Sequence, residues 1–88
     1  MDNSAKNQTQ NRRAVIDVGS NSVKMLIADV AGNVVTPLVQ EGEQTRLGRG
    51  VFETGLLQPA AIKDTTQVVA DFADKAREHG ATQIQVLA

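Results

Sequence analysis

Apolar and polar positions alternate at two periods along this chain, and the change of period divides it into elements. Ala14–Val18 is nearly continuous in apolar character up to Asp17, and Val23–Val30 places Val23, Met25 and Ile27 on one side with Lys24, Leu26 and Ala28 on the other. Both segments read as strands, and a run with so few polar residues predicts burial on both faces of Ala14–Val18 and at least partial cover on both faces of Val23–Val30. Gly19-Ser20-Asn21-Ser22 separates them as a turn. Ala31-Gly32-Asn33 is a second turn, after which Val34-Val35-Thr36 opens a third strand. Pro37 has no N–H for a central ladder, which puts that strand at a sheet edge or gives it a bulge. The three strands make an antiparallel meander.

From Gln40 to Gly55 the pattern loses its period. Four glycines (Gly42, Gly48, Gly50 and Gly55) and charges of both signs outnumber the apolar anchors Leu47, Val51 and Phe52, so the start extends the third strand at most and the remainder is a loop. The period then becomes helical over Pro59–His79, with proline in the first turn and Gly80 just past the end. Ile62, Thr66, Val69, Phe72, Ala73 and Ala76 form the expected apolar stripe, and Lys63, Asp64, Gln67, Asp71, Asp74 and Lys75 the opposite face. Arg77 and His79 complement the negative end of the helix dipole, a structural use for the single histidine. Gln83–Ala88 reads as a further strand, which a right-handed crossover lays parallel beside the first. The predicted order is β-β-β-α-β, an α/β arrangement whose final strand leaves an apolar edge at Ile84–Ala88 open to edge pairing.

Composition narrows the function. The chain has 88 residues, 9 Lys plus Arg against 10 Asp plus Glu, and a net charge of −1; this balance gives no reason to expect nucleic acid or an anionic membrane as partner. Cysteine is absent, which removes disulfides, thiolate metal sites and a cysteine nucleophile. Residues 1–11, polar and rich in Asn and Gln, lack a secretory apolar core and read as a disordered leader, and the expected compartment is the cytoplasm. Arg12 and Arg13 offer an anion two cations, but a solvated pair at a strand start is the commoner fate of such residues.

The chemistry sits in the first turn. Asp17 closes a strand, and Gly19, Ser20, Asn21 and Ser22 follow with small side chains and accessible amides, an arrangement that can hold a phosphate. Lys24 adds a cation, and Asp17 suits a hydrated Mg²⁺, which binds carboxylate and phosphate oxygens while keeping several waters. Arg46, on the glycine-rich loop, is a further cation for a polyanion, and Arg49 a weaker candidate. The same four turn residues also make an ordinary hairpin, and Arg46 also reads as a surface arginine.

Ala14–Val30 (AVIDVGSNSVKMLIADV), and in particular its Asp-x-Gly-Ser-Asn-Ser core, resembles the first phosphate-binding segment of the exopolyphosphatase and guanosine pentaphosphate phosphohydrolase (Ppx/GppA) family. Thr45–Leu57 (TRLGRGVFETGLL) is similar to the family's next signature. The resemblance, covering about Arg12 to Ala88, implies the opening of a ribonuclease-H-like half-domain of the actin, Hsp70 and sugar kinase superfamily, so that residues 12–88 are an incomplete N-terminal part of an actin-like ATPase-type domain. It implies a hydrolase releasing terminal phosphate from polyphosphate or guanosine pentaphosphate with a divalent metal, Mg²⁺, in a parent that forms homodimers.

By the same resemblance Gly19, Ser20, Asn21 and Ser22 cradle phosphate, Lys24 and Arg46 contact the phosphate chain, and Asp17 holds the metal. Many relatives have arginine where Lys24 stands; lysine keeps the charge and loses the bidentate fork. The family's water-activating glutamate lies beyond Ala88, and none of Glu41, Glu43, Glu53 or Glu78 matches its motif, so these 88 residues alone are expected to be inactive. Three other readings stand beside this one. They are an ATP-dependent kinase of the same superfamily, against which Ser-Asn-Ser argues, a non-catalytic sensor of nucleotide or polyphosphate, and a structural domain in which the turn is only a turn.

Overall fold

The computed structural model describes residues 11–45 and 58–88. Its elements are β1 (Asn11–Val18), β2 (Ser22–Ala31), β3 (Val34–Gln44), α1 (Pro59–Glu78) and β4 (Gln83–Leu87). They form one four-stranded sheet in the order β3-β2-β1-β4, with β1–β2 and β2–β3 antiparallel and β4 parallel to β1. This is the predicted meander with its crossover. β1 begins at Asn11, ahead of the expected Ala14, and the rest of the expected leader lies outside the described residues.

Local chemistry accounts for the joints. Gly32 takes φ 60° in the turn between β2 and β3, the left-handed backbone that a two-residue hairpin demands. Pro37 pairs opposite Ala28 on the edge strand, next to a register shift between Ile27 and Ala28 that leaves Leu38 without a partner. Missing donor and bulge therefore coincide, as proline requires. Beyond it β3 continues to Gln44, so the glycine-bearing stretch stays in the ladder further than its irregular pattern indicated.

Ala14, Ile16, Val23, Met25 and Ile27 project from one face of the sheet and are buried against Phe72 and Ala76 of α1, with Val68, Val69 and Ala73 around them. Full burial of side chains such as Ile16 or Ile27 contributes about 1.5–3 kcal/mol each, which makes this layer the main stabilising contact. The helix meets the sheet along a different line from the one predicted. Ala61 and Thr65 are buried, whereas Ile62 is 43% exposed and Thr66 faces solvent. Steps of three and four from Phe72 reach both pairs, and the packing turns Ala61 and Thr65 inward in the first turns.

The expectation of cover on both faces of β1 also needs correction. Ala14 and Ile16 are buried, but Val15 and Val18 are half-buried and Asp17 is exposed, so burial alternates. On the face away from α1, Val15 and Leu26 are half-covered, and no described helix packs there. No helix among the described residues is long and apolar enough to cross a membrane.

The end of the sheet where β1 begins is closed by hydrogen bonds. The Arg12 guanidinium donates through Nε and Nη2 to the two carboxylate oxygens of Asp29 (2.7 and 3.1 Å) and through Nη1 to the carbonyl of His79 (2.8 Å). That carbonyl belongs to the helix C-cap. Gly80 N–H donates to Arg77 O and Ala81 N–H to Ala76 O, a Schellman closure with Gly80 at φ 83°. Thr82 N–H then donates to Arg12 O at 2.9 Å and starts the parallel register. The His79 ring lies 2.9 Å from Lys75 O through Nδ1, in keeping with a structural histidine. Arg12 is thus not the solvated residue expected of it, while Arg13 is exposed. The hydrogen bonds to Asp29 raise the pKa of Arg12, and the same bonds hold the Asp29 carboxyl below its ordinary value.

Candidate functional site

The opposite end of the sheet is built by the β1–β2 connection. Val18 pairs with Val23, and Gly19 N–H donates to Ser22 O at 2.8 Å, which closes the turn. Thr45 N–H donates to Asn21 O at 3.2 Å, so the end of β3 ties down the same loop. The expected freedom of Gly19 to take a left-handed backbone is not used, since only Gly32 and Gly80 have positive φ among the described glycines. What Gly19 supplies is absence of bulk, because a Cβ there would stand 3.2 Å from Ser22 O. Its amide serves the turn itself.

Ser20 and Asn21 are exposed, and among the described residues their amides donate to no backbone carbonyl. Ser22 already belongs to β2. The donors that the turn turns outward are therefore those of Ser20 and Asn21. Two adjacent free amides in a turn form a small anion-binding concavity, since each carries a partial positive charge that no neighbour neutralises.

Asp17 and Lys24 sit opposite one another in the β1–β2 register, and Gly42 follows on β3 as the partner of Lys24. Alternation sends both charged side chains to the face that α1 leaves open. Both are exposed, and among the described residues neither forms an ion pair. Together with Val15, Leu26, Gln40 and Gly42 they line an open groove of 610 Å³. Gly42 keeps the groove clear, because a side chain there would lie in contact with the Lys24 stem. Asp17, Gly19, Ser20, Asn21, Ser22 and Lys24 are thus gathered at one end of the sheet, and Arg46 lies outside the described residues.

The carboxylate at Asp17 permits a test of metal fit. No cluster of three or more His, Cys, Asp or Glu forms among the described residues. A protein-enclosed metal does not fit this donor set. A hydrated Mg²⁺ does, since that ion is commonly held by one or two carboxylates together with phosphate oxygens, and Asp17 is, among the described residues, an unpaired carboxylate beside the two free amides of the turn.

Sequence reasoning missed one residue here. Thr45 is buried, touches the turn through its amide, and its hydroxyl has no hydrogen-bond partner among the described residues. Thr45 opens the stretch that resembles the family's next signature, but nothing in its residue type marks it as a contact of the turn.

Comparison with known proteins supplies the family. No family model matches the chain. Over 81 residues it is 36% identical to Exopolyphosphatase 2 of Mycobacterium tuberculosis, strains CDC 1551 / Oshkosh and H37Rv, an alignment that takes in 88% of this chain and 25% of the relative. The crystal structure of the Aquifex aeolicus Ppx/GppA family member superposes with a TM-score of 0.81 at 32% identity, over 88% of this chain and 25% of that one. An exopolyphosphatase from Cytophaga hutchinsonii gives a TM-score of 0.78 at 26% identity, over 86% and 24%. The chain spans about a quarter of the length of these relatives, and its meander, crossover helix and parallel strand match the ribonuclease-H-like, actin-like architecture they share. Sequence, topology and turn composition agree in aligning the chain with about a quarter of an exopolyphosphatase of the Ppx/GppA family.

Proposed function

We propose that this chain is the phosphate-binding segment of a phosphoanhydride hydrolase that releases terminal phosphate from inorganic polyphosphate or from guanosine pentaphosphate. The observation that carries the reading is the pair of amides at Ser20 and Asn21, free of carbonyl partners and set beside unpaired Asp17 and Lys24. An oxyanion in the turn accepts hydrogen bonds from both amides, while Gly19 keeps the approach free of side chain. The Lys24 ammonium offsets charge on the phosphate chain, and Arg46 adds a second cation. Asp17 would hold Mg²⁺ through its water shell. Bound there, the ion supplies positive charge to the phosphoryl oxygens, which helps water attack phosphorus.

None of the described acidic residues is given the role of general base. We expect no release of phosphate from polyphosphate by the 88-residue chain, and measurable turnover would overturn that expectation. Compartment and homodimerisation remain part of this reading by way of the family, and a cytoplasmic parent is expected. The sensor alternative uses the same turn and differs in lacking turnover in the complete protein.

Calorimetric titration of the chain with polyphosphate and Mg²⁺, beside Gly19→Val, tests the reading. Binding by the native chain that Gly19→Val abolishes, with amide shifts confined to Ser20 and Asn21, supports it. Equal affinity in the two proteins would reduce the loop to an ordinary hairpin.

A further inference from the structure

Two hydroxyls are stranded in the interior. Thr45 is 8% exposed and Thr65 6%, and among the described residues neither Oγ1 has a hydrogen-bond partner. A buried hydroxyl without a partner is destabilising, whereas valine fills the same shape with no polar group to satisfy. The adjacent Thr66 shows the usual alternative, donating from Oγ1 to the carbonyl of Ile62 at 2.8 Å. Thr65, on the same helix, makes no such bond.

The two hydroxyls lie at the same level of the molecule. α1 ends beside Arg12, where β1 begins, so it starts at the turn end and runs antiparallel to β3. Lys75 Nζ donates to the two carboxylate oxygens of Glu41 at 2.7 and 2.9 Å and pins helix against strand. From that pin, α1 back to Thr65 spans about 15 Å, and β3 onward to Thr45 about 13 Å. Both threonines therefore stand under the turn end of the helix–sheet layer, and Thr45 is tied to that turn through Asn21 O.

We propose that Thr45 is a positioning residue for the phosphate-binding turn. Its amide holds Asn21 in place, and its spare hydroxyl, with that of Thr65 beneath, takes up a hydrogen bond when the turn closes on an oxyanion. A hydrogen bond that this hydroxyl does not make among the described residues is then gained on binding, which couples ligand affinity to the packing under the loop. This inference rests on the phosphate-binding reading of the turn.

The test uses the 88-residue chain with tripolyphosphate and Mg²⁺, comparing Thr45→Val, Thr45→Ser and Thr65→Val by titration calorimetry, thermal melting and amide shifts. Thr45→Val is expected to melt at the native temperature or above it and to bind about tenfold more weakly, the loss of one hydrogen bond. Thr45→Ser is expected to restore affinity, and Thr65→Val to fall between. Native affinity in Thr45→Val overturns the proposal and leaves the phosphate-binding reading standing. A parallel loss of melting temperature and affinity that serine fails to rescue also overturns it, since that is the mark of simple packing. Failure of the native chain to bind removes the reading of the turn and this inference with it.

Discussion

The two ends of the sheet treat polar groups in opposite ways. Around Arg12 the guanidinium forks onto Asp29, its third nitrogen takes the last exposed carbonyl of the helix, and Gly80 closes the cap, so donors and acceptors match. Around Gly19–Ser22 the same chain leaves two amides, a carboxylate, an ammonium and a buried hydroxyl without partners among the described residues. The exposed groups at that end are left to water at little cost, so they stay open to a ligand, whereas the other end's are consumed by the fold; only the Thr45 hydroxyl is buried. Neither end lacks polar residues. What differs is whether the fold itself satisfies them.

Substitutions should divide along that line. The largest effect is expected from Phe72→Ala, which removes the biggest side chain of the layer beneath both ends; a loss of about 3–5 kcal/mol in denaturant unfolding is expected. A loss below 1 kcal/mol would mean that α1 contributes little to the core. Gly80→Val strikes the closed end alone. At φ 83° a β-branched side chain is strained, and we expect a decrease of about 1–2 kcal/mol with unchanged phosphate affinity. Altered affinity there would show that the ends are coupled.

Lys24→Ala should do the reverse, weakening tripolyphosphate binding about tenfold with little change in melting temperature, and the difference should shrink as salt is raised. The smallest effect concerns acid. Because the Asp29 pKa is lowered by its hydrogen bonds from Arg12, its contribution is present above the unfolded carboxylate value, about 3.9, and is lost as pH falls through the lower folded value. Arg12, raised above its ordinary value, stays charged throughout. Asp29→Asn should therefore flatten the acid limb of stability against pH, modestly because the pair is partly exposed to solvent. An unchanged acid limb would deny the fork its role.

How much of this was legible beforehand follows from the range of each interaction. The strands, both tight turns and the helix ends depend on neighbours within a few residues, and alternation, Gly32, Pro59 and Gly80 announce them. Asp17 and Gly19–Ser22 were legible as a candidate site for the same reason, being contiguous. Arg12 was not, since its partners lie 17 and 67 residues away and only the sheet register and crossover bring them together. The helix stripe was legible near Phe72 and Ala76 and misjudged at Ile62 and Thr66, because periodicity gives a face only to within one residue and close packing favoured Ala61 and Thr65. Burial on both faces of β1 was overstated, because apolar composition says that a residue tolerates cover and cannot say what supplies it. The stranded hydroxyls of Thr45 and Thr65 were invisible, as a missing partner leaves no mark on a sequence.

Pro37 and its neighbouring bulge bear on how this sheet meets other chains. One margin carries a residue with no hydrogen to offer and a broken spacing of acceptors, a poor template for an incoming segment. The other margin, along β4, has neither obstacle. Growth of the sheet, whether by a continuing polypeptide or by a stray neighbour, is thereby directed to a single side.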